Sequence, residues 1–259
     1  MTEDVLKIET RGKVRLLTLN RPDARNALNT ELGEAIMEAV ISADHDPEVY
    51  VTALTGAGTA FCSGADLRDA RDNADAGKPF YGPLHTTRRS ILEVMIDTRK
   101  PTIAIVNGPA MAGGFELALS CDMMIAADDA VFALPEAKRG RGAHFASVVL
   151  PQVIPPPIAM EWLYTGRRIA VTEMERWGLV NRIVPAASLM DEAMKFLGEV
   201  VSSAPLSLQR LKLTYRKTQG MPFHNGIRLD TGPDVYASED QKEGARAFIE
   251  KRPARWEGR

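Results

Sequence analysis

The sequence is short of cysteine, short of histidine, and lacks an excess of charge of either sign. Cys62 and Cys121 are the only two cysteines in 259 residues. Two cannot make a disulfide framework, and they fit a reducing compartment. With four histidines and no CxxC pair, a four-ligand zinc site has no support, and no metal is expected. The formal net charge is -2 and no long basic run occurs, which disfavours an electrostatic nucleic-acid binder. No apolar run approaches the roughly 20 residues that span a bilayer, so no membrane role is expected. The opening Met1-Thr2-Glu3-Asp4 is acidic, unlike the basic-then-apolar order of a signal peptide. A cytoplasmic location is the simplest expectation. What is present is a 45% hydrophobic chain, long enough to bury a large core as one big domain or a domain plus a smaller one.

Leu6 and Ile8 alternate with polar residues, Arg11-Gly12-Lys13 can turn, and Val14 to Leu19 is apolar and branched, which predicts a hairpin. Asn20-Arg21-Pro22-Asp23 breaks it. Thr30 is the expected cap of a helix carrying Leu32, Ile36, Met37 and Val40 on one face. Tyr50 to Thr55, Thr102 to Val106 and Met123 to Ala127 read as buried strands with helical stretches between them, hence βα units around a mostly parallel sheet. Composition shifts near residue 150, where Pro151, Pro155, Pro156 and Pro157 are expected to break the chain. Beyond them, 158–164, 172–177, 187–201, 206–218 and 240–249 read as helical, with a short strand over 179–184. The expected organisation is an α/β core over 1–195 and a helical region over 196–259.

The segment Asn107-Gly108-Pro109-Ala110-Met111-Ala112-Gly113-Gly114-Phe115-Glu116 carries the most chemical information. A buried strand runs into small residues, and a helix is expected to start at Gly113 or Gly114. Free N–H groups at a helix start favour developing negative charge, and glycine lets a ligand approach the backbone. A tight turn needing glycine only for packing explains the pattern equally well. Glu116 lies three residues beyond Gly113, so the two share a helix face. Its apolar neighbours suggest burial, which raises a carboxylate pKa and suits proton transfer. A second loop, Gly56 to Leu67, also follows a strand, and its backbone can supply another N–H, for example from Ser63. Two converging N–H groups make an oxyanion hole. The Ser63 hydroxyl lacks a GxSxG setting and a histidine partner, and Cys62 reads as a small buried residue. A second carboxylate, Glu136, follows Pro135 near another helix start.

On these residues the sequence resembles the crotonase superfamily, the enoyl-CoA hydratase/isomerase family. Leu19-Asn20-Arg21-Pro22 with Asn26-Ala27-Leu28 looks like its N-terminal motif, and Ala60-Phe61-Cys62-Ser63-Gly64-Ala65-Asp66-Leu67 like its first oxyanion loop. Ala110 to Glu116, continuing through Cys121-Asp122, resembles the second loop and helix, and Phe132 to Glu136 the second catalytic segment. The resemblance implies an α/β crotonase-like spiral of ββα units with a helical C-terminal trimerisation region. It implies an acyl-CoA thioester as substrate, with coenzyme A part of that substrate and no further cofactor. It implies a homotrimer or a dimer of trimers. The matched positions make the backbone N–H groups of Ser63 and Gly113 the oxyanion hole and Glu116 and Glu136 the hydratase glutamate pair. They make Arg25, Ala65, Asp66, Leu67 and Lys251 contacts for coenzyme A or substrate, and His144, a departure from the pattern, is a further candidate for substrate contact. The implied activity is 2-enoyl-CoA hydration, with Glu116 as the water-activating base and Glu136 as the acid.

His144 falls where the family's hydratases have glycine, which puts simple straight-chain hydration in question and leaves a structural histidine as the plainer reading. The alternatives are a double-bond isomerase or thioester hydrolase on the same scaffold, and a non-catalytic CoA-ligand or RNA-binding member. Residues 68–98 are expected to form much of the acyl pocket. Phe80, Tyr81 and Met95 fit its lining as readily as they fit the core.

Overall fold

Apolar alternation on both sides of a two-residue turn makes the N-terminal hairpin. β1 (Leu6–Arg11) and β2 (Val14–Leu19) pair antiparallel, from Leu6 opposite Leu19 to Arg11 opposite Val14. Gly12 supplies the positive φ of the turn, 59°. This computed structural model describes residues 4–77 and 89–259. α1 (Thr30–His45) is capped by Asn29, not by Thr30: the Asn29 side chain accepts from the Leu32 amide, and Thr30 is already helical. The cap must lie outside the helix with its oxygen within reach of the third helical amide, and Asn29 meets both conditions.

β3 (Val51–Gly56) is buried along its whole length. There follow α2 (Leu67–Asp75), α3 (Ile91–Asp97), β4 (Thr102–Val106), β5 (Ala110–Met111), α4 (Gly113–Leu119), β6 (Met123–Ala127) and β7 (Val131–Ala133). Then come α5 (His144–Val153), α6 (Pro156–Thr165), β8 (Ile169–Ala170), α7 (Val171–Arg176) and β9 (Arg182–Val184). The chain ends with α8 (Leu189–Val201), α9 (Pro205–Thr218), α10 (Phe223–Gly226) and α11 (Glu239–Glu250).

One sheet has six strands in the order β1-β2-β3-β4-β6-β9, and every pair except the hairpin is parallel. A second sheet, β5-β7-β8, has three strands of two or three residues each. Strands that short show no period, so the sequence pattern gives no sign of them. The two sheets explain the spiral. A strand in the large sheet is followed by a short one in the small sheet and then a helix, as in β4-β5-α4 and β6-β7-α5. β3 begins the same figure, because Cys62 bridges Ala110 before α2 starts. Leu16, Leu54, Ile103, Ile125, Phe61, Phe115 and Phe132 are buried in the shared core. The Phe115 and Phe132 rings pack tilted, centroids 5.1 Å apart.

Pro151 does not break the chain. It lies inside α5, where its missing N–H leaves only the carbonyl of the exposed Ser147 for water to satisfy. The break falls at Ile154, which is extended as the residue before a proline prefers to be, and Pro156 opens α6. A division after residue 195 would cut α8, whose Ala193 and Leu197 are both buried. α9 is pinned to the core by Lys212, which pairs with Asp122 at 2.7 Å and donates to the Lys100 carbonyl at 2.9 Å. Burial pulls the Lys212 pKa down, against the pull of Asp122. Among the described residues no helix is long and apolar enough to cross a membrane.

Candidate active site

Two loops meet at the carboxyl ends of β3 and β4. The Pro109 carbonyl accepts from the amides of Phe61 and Cys62, and the Met111 amide donates to the Cys62 carbonyl at 2.9 Å. Such closeness requires glycine. A methyl group on Gly114 would lie 2.3 Å from the Cys62 carbonyl oxygen, and one on Gly64 would lie 2.8 Å from the Ala112 methyl, with Gly64 already at a φ of 92°. Ala112, next to them, holds a φ of 52° without being glycine. Strain of this kind costs about 1–3 kcal/mol and collects where geometry matters for function.

α4 starts at Gly113, as the sequence suggests, so the Gly113 amide has no helical acceptor. The second amide is not the expected one. Ser63 N–H donates to the Arg25 carbonyl at 3.0 Å, and the Ser63 hydroxyl donates to the Ala24 carbonyl at 3.3 Å. Both Ser63 donors are therefore engaged away from any ligand. The free amide of that loop is Ala65, two residues on: it has no acceptor among the described residues, and a methyl on Gly113 would lie 3.8 Å from its nitrogen. Ala65 is exposed on this face. A pair of amides so placed stabilises negative charge developing on a carbonyl oxygen. Sequence reasoning missed the donor because it turns on which peptide plane the Arg25 carbonyl captures. Arg25 and Asn26 make that capture by adopting φ values of 49° and 55°, unusual for non-glycine residues.

Glu116 stands one turn into α4, half buried, and its Oε1 accepts from the Ala146 amide at 3.0 Å. α5 has no side-chain cap of its own at Ala143, so the Glu116 carboxylate takes that place. Burial raises the Glu116 pKa, while the Ala146 and Phe145 amides and the charge of His144 pull the other way. Glu136 opens a 3-10 turn, Glu136–Arg139, and is buried; its Oε2 is fully enclosed with no partner among the described residues. Its pKa is raised by burial and further by the charge of Glu116, against its own amide and Arg139. The structure thus brings the two carboxylates within electrostatic reach, each biased toward holding a proton. The part played by α5 was invisible in sequence, although the missing cap at Ala143-His144 is a signal that an outside acceptor must serve that helix.

His144 is the first residue of α5 and is exposed beside Glu116. Arg25 and Leu67 are exposed near Ala65. The Asp66 carboxylate is already in use: it caps α2 through the Arg68 and Asp69 amides and pairs with Arg21 at 2.9 Å. Those contacts hold its pKa below the usual range despite the opposing effect of burial. Lys251 is exposed just past α11, with a φ of 53°. Cys62 is buried, which pushes its thiol up to about 12, so it stays protonated. Met95 is fully buried core, and Phe80 and Tyr81 lie outside the described residues.

A spiral of ββα units, with free amides where two loops meet and a half-buried and a buried glutamate within electrostatic reach of each other, defines an enzyme scaffold of the crotonase type. The chain belongs to the enoyl-CoA hydratase/isomerase family, whose pattern it matches over residues 9–259. Among curated relatives it is 42% identical over 262 aligned positions to carnitinyl-CoA dehydratase of Salmonella paratyphi A, covering 98% of each chain. Among solved structures it resembles an enoyl-CoA hydratase from Mycobacterium tuberculosis with a TM-score of 0.88, at 32% identity over 99% of this chain and 100% of that one. An enoyl-CoA hydratase subunit from Geobacillus kaustophilus matches with a TM-score of 0.85, at 35% identity over 98% of both chains.

Proposed function

We propose that this enzyme adds water reversibly to the double bond of a 2-enoyl-CoA thioester, or removes it from the 3-hydroxyacyl-CoA. One observation carries the reading: Glu116, three residues beyond the free Gly113 amide, stands within electrostatic reach of Glu136, whose enclosed Oε2 has no partner among the described residues, and the neighbouring loop leaves the Ala65 amide free. In hydration Glu116, ionised and held by the start of α5, takes a proton from water. The hydroxide adds to C3, and the electron pair of the double bond moves to the thioester oxygen as an enolate. The Gly113 and Ala65 N–H groups hold that oxygen, and each such donor contributes roughly 3 kcal/mol to the barrier reduction. Glu136, protonated, delivers its proton to C2 and restores the thioester. Burial and the neighbouring charge suit Glu136 to carrying the proton, and the α5 amides suit Glu116 to the anionic role.

Coenzyme A arrives with the substrate, and no other cofactor enters this reaction. Exposed Arg25 and Lys251 are the basic side chains offered to its phosphates. Large apolar side chains left exposed on or next to the last helices, Leu211, Phe223, Ile227 and Phe248, support self-association as a trimer or a dimer of trimers. The relatives' names make carnitinyl-CoA a substrate to include beside straight-chain thioesters. The test is a panel of 2-enoyl-CoA thioesters followed by loss of conjugated absorbance. Loss without thiol release, with the 3-hydroxyacyl thioester formed, is the expected result. Thiol release would make the enzyme a thioesterase, and a shifted double bond without water uptake would make it an isomerase; either overturns the proposal.

A further inference from the structure

Two ordinary peptide planes and one guanidinium line up behind the Ala65 amide. Arg21 donates through Nη1 to the Ala27 carbonyl. On the far side of that same peptide, the Leu28 amide donates to the Gly64 carbonyl at 2.8 Å. On the far side of the next peptide lies the Ala65 N–H. A trans peptide holds its C=O and N–H in opposite directions, so fixing the Gly64 carbonyl toward Leu28 aims the Ala65 N–H the other way. The Asp66 amide completes the bracket by donating to the Leu28 carbonyl at 2.9 Å. Arg21 cannot swing away, because its second arm pairs with Asp66 at 2.9 Å and both side chains are largely buried. The Arg21 amide is held in turn by the fully buried Asn26, which accepts from it at 2.9 Å and donates to the Ala57 and Ala60 carbonyls.

We propose that Arg21 is a positioning residue of the oxyanion hole, acting through the relay Arg21 guanidinium to Ala27 carbonyl, Leu28 amide to Gly64 carbonyl, and so to the Ala65 N–H. It does two things there. It sets the direction of the Ala65 amide, and it polarises both peptide planes, because a hydrogen bond from a cation at one end of a chain strengthens the donors further along. The inference rests on the reading of Ala65 and Gly113 as an oxyanion hole, and it holds for any thioester reaction that passes through an enolate.

Three variants test it: Arg21→Met, Arg21→Lys and Asp66→Asn. The last keeps a good α2 cap and removes only the anchor for the guanidinium. Acetoacetyl-CoA is the probe, because an oxyanion hole converts part of the bound ligand to its enolate, seen as a near-ultraviolet band without turnover. The expected result for Arg21→Met is about a 10- to 100-fold fall in kcat with little change in KM, and a matching loss of the enolate band. Arg21→Lys, which can serve one of the two acceptors, recovers part of both. Asp66→Asn moves both in the same direction, and the double variant Arg21→Met with Asp66→Asn is no worse than Arg21→Met alone. Effects that add instead would overturn the relay. So would an unchanged enolate band in folded Arg21→Met protein, whatever its thermal stability, since that would make Arg21 structural only. An Arg21-dependent enolate band in an enzyme that hydrates no enoyl thioester would sustain this inference and refute the proposed reaction alone.

Discussion

Replacing Glu116 by glutamine and by alanine separates its chemical role from its structural one. Glutamine keeps a carbonyl oxygen where Glu116 Oε1 accepts from the Ala146 amide at 3.0 Å, so α5 keeps its outside cap. It cannot take a proton from water. Loss of a general base costs about 10²- to 10⁴-fold, or about 3–5 kcal/mol of barrier. Stability should move the other way. Burial raises the folded-state pKa of Glu116 above its unfolded value. Its contribution to stability is therefore full below the unfolded pKa and is lost as pH rises through the folded one. At neutral pH a glutamine removes that cost, and the Tm of Glu116→Gln is expected to equal or exceed that of the native protein. Alanine removes the cap as well. An uncapped helix start costs about 0.5–2 kcal/mol, which in a chain of this size lowers the Tm by about 1–8 °C. The assays are the enoyl-CoA absorbance rate, binding of a CoA thioester to both variants, and thermal melts. Full activity in Glu116→Gln would refute its role as base. Equal melting of the glutamine and alanine variants would refute the cap.

Glu136 should set the alkaline side of the pH profile. Its raised pKa keeps the proton on the acid into a range where ordinary carboxylates have lost it, so kcat/KM should be bell-shaped, rising as Glu116 ionises and falling as Glu136 does. In Glu116→Gln the Glu136 pKa should fall, because the neighbouring charge is gone, and carboxylate titration by infrared spectroscopy reads that shift. Gly114→Ala should lose about 1–3 kcal/mol in denaturant melts, because its methyl meets the Cys62 carbonyl oxygen, a backbone atom, at 2.3 Å; native stability would mean that the loops are not locked together. His144→Gly should change the acyl-chain preference across a thioester panel, since His144 is exposed at the start of the helix that holds Glu116. An unchanged preference would leave His144 a structural role.

The residue order alone carried the long strands, because near-continuous apolar runs such as 102–106 and 123–127 admit few other readings. It carried the start of α4 at Gly113, and it singled out Glu116 and Glu136 as candidates, since residue type and spacing are written along one chain. It could not carry what depends on which peptide faces which. Ser63 and Ala65 stand two apart in one loop, and only the left-handed turn at Arg25 and Asn26, folded against them from another part of the chain, decides that Ser63 gives up its amide and Ala65 keeps one free. Likewise the missing cap at the start of α5 marks a helix in need of an outside acceptor but does not say that Glu116 is that acceptor, because the bond joins side chain and backbone thirty residues apart. Side-chain chemistry is written residue by residue, whereas the direction of a backbone amide is fixed by its hydrogen-bond partner, and that partner exists only once distant segments have packed.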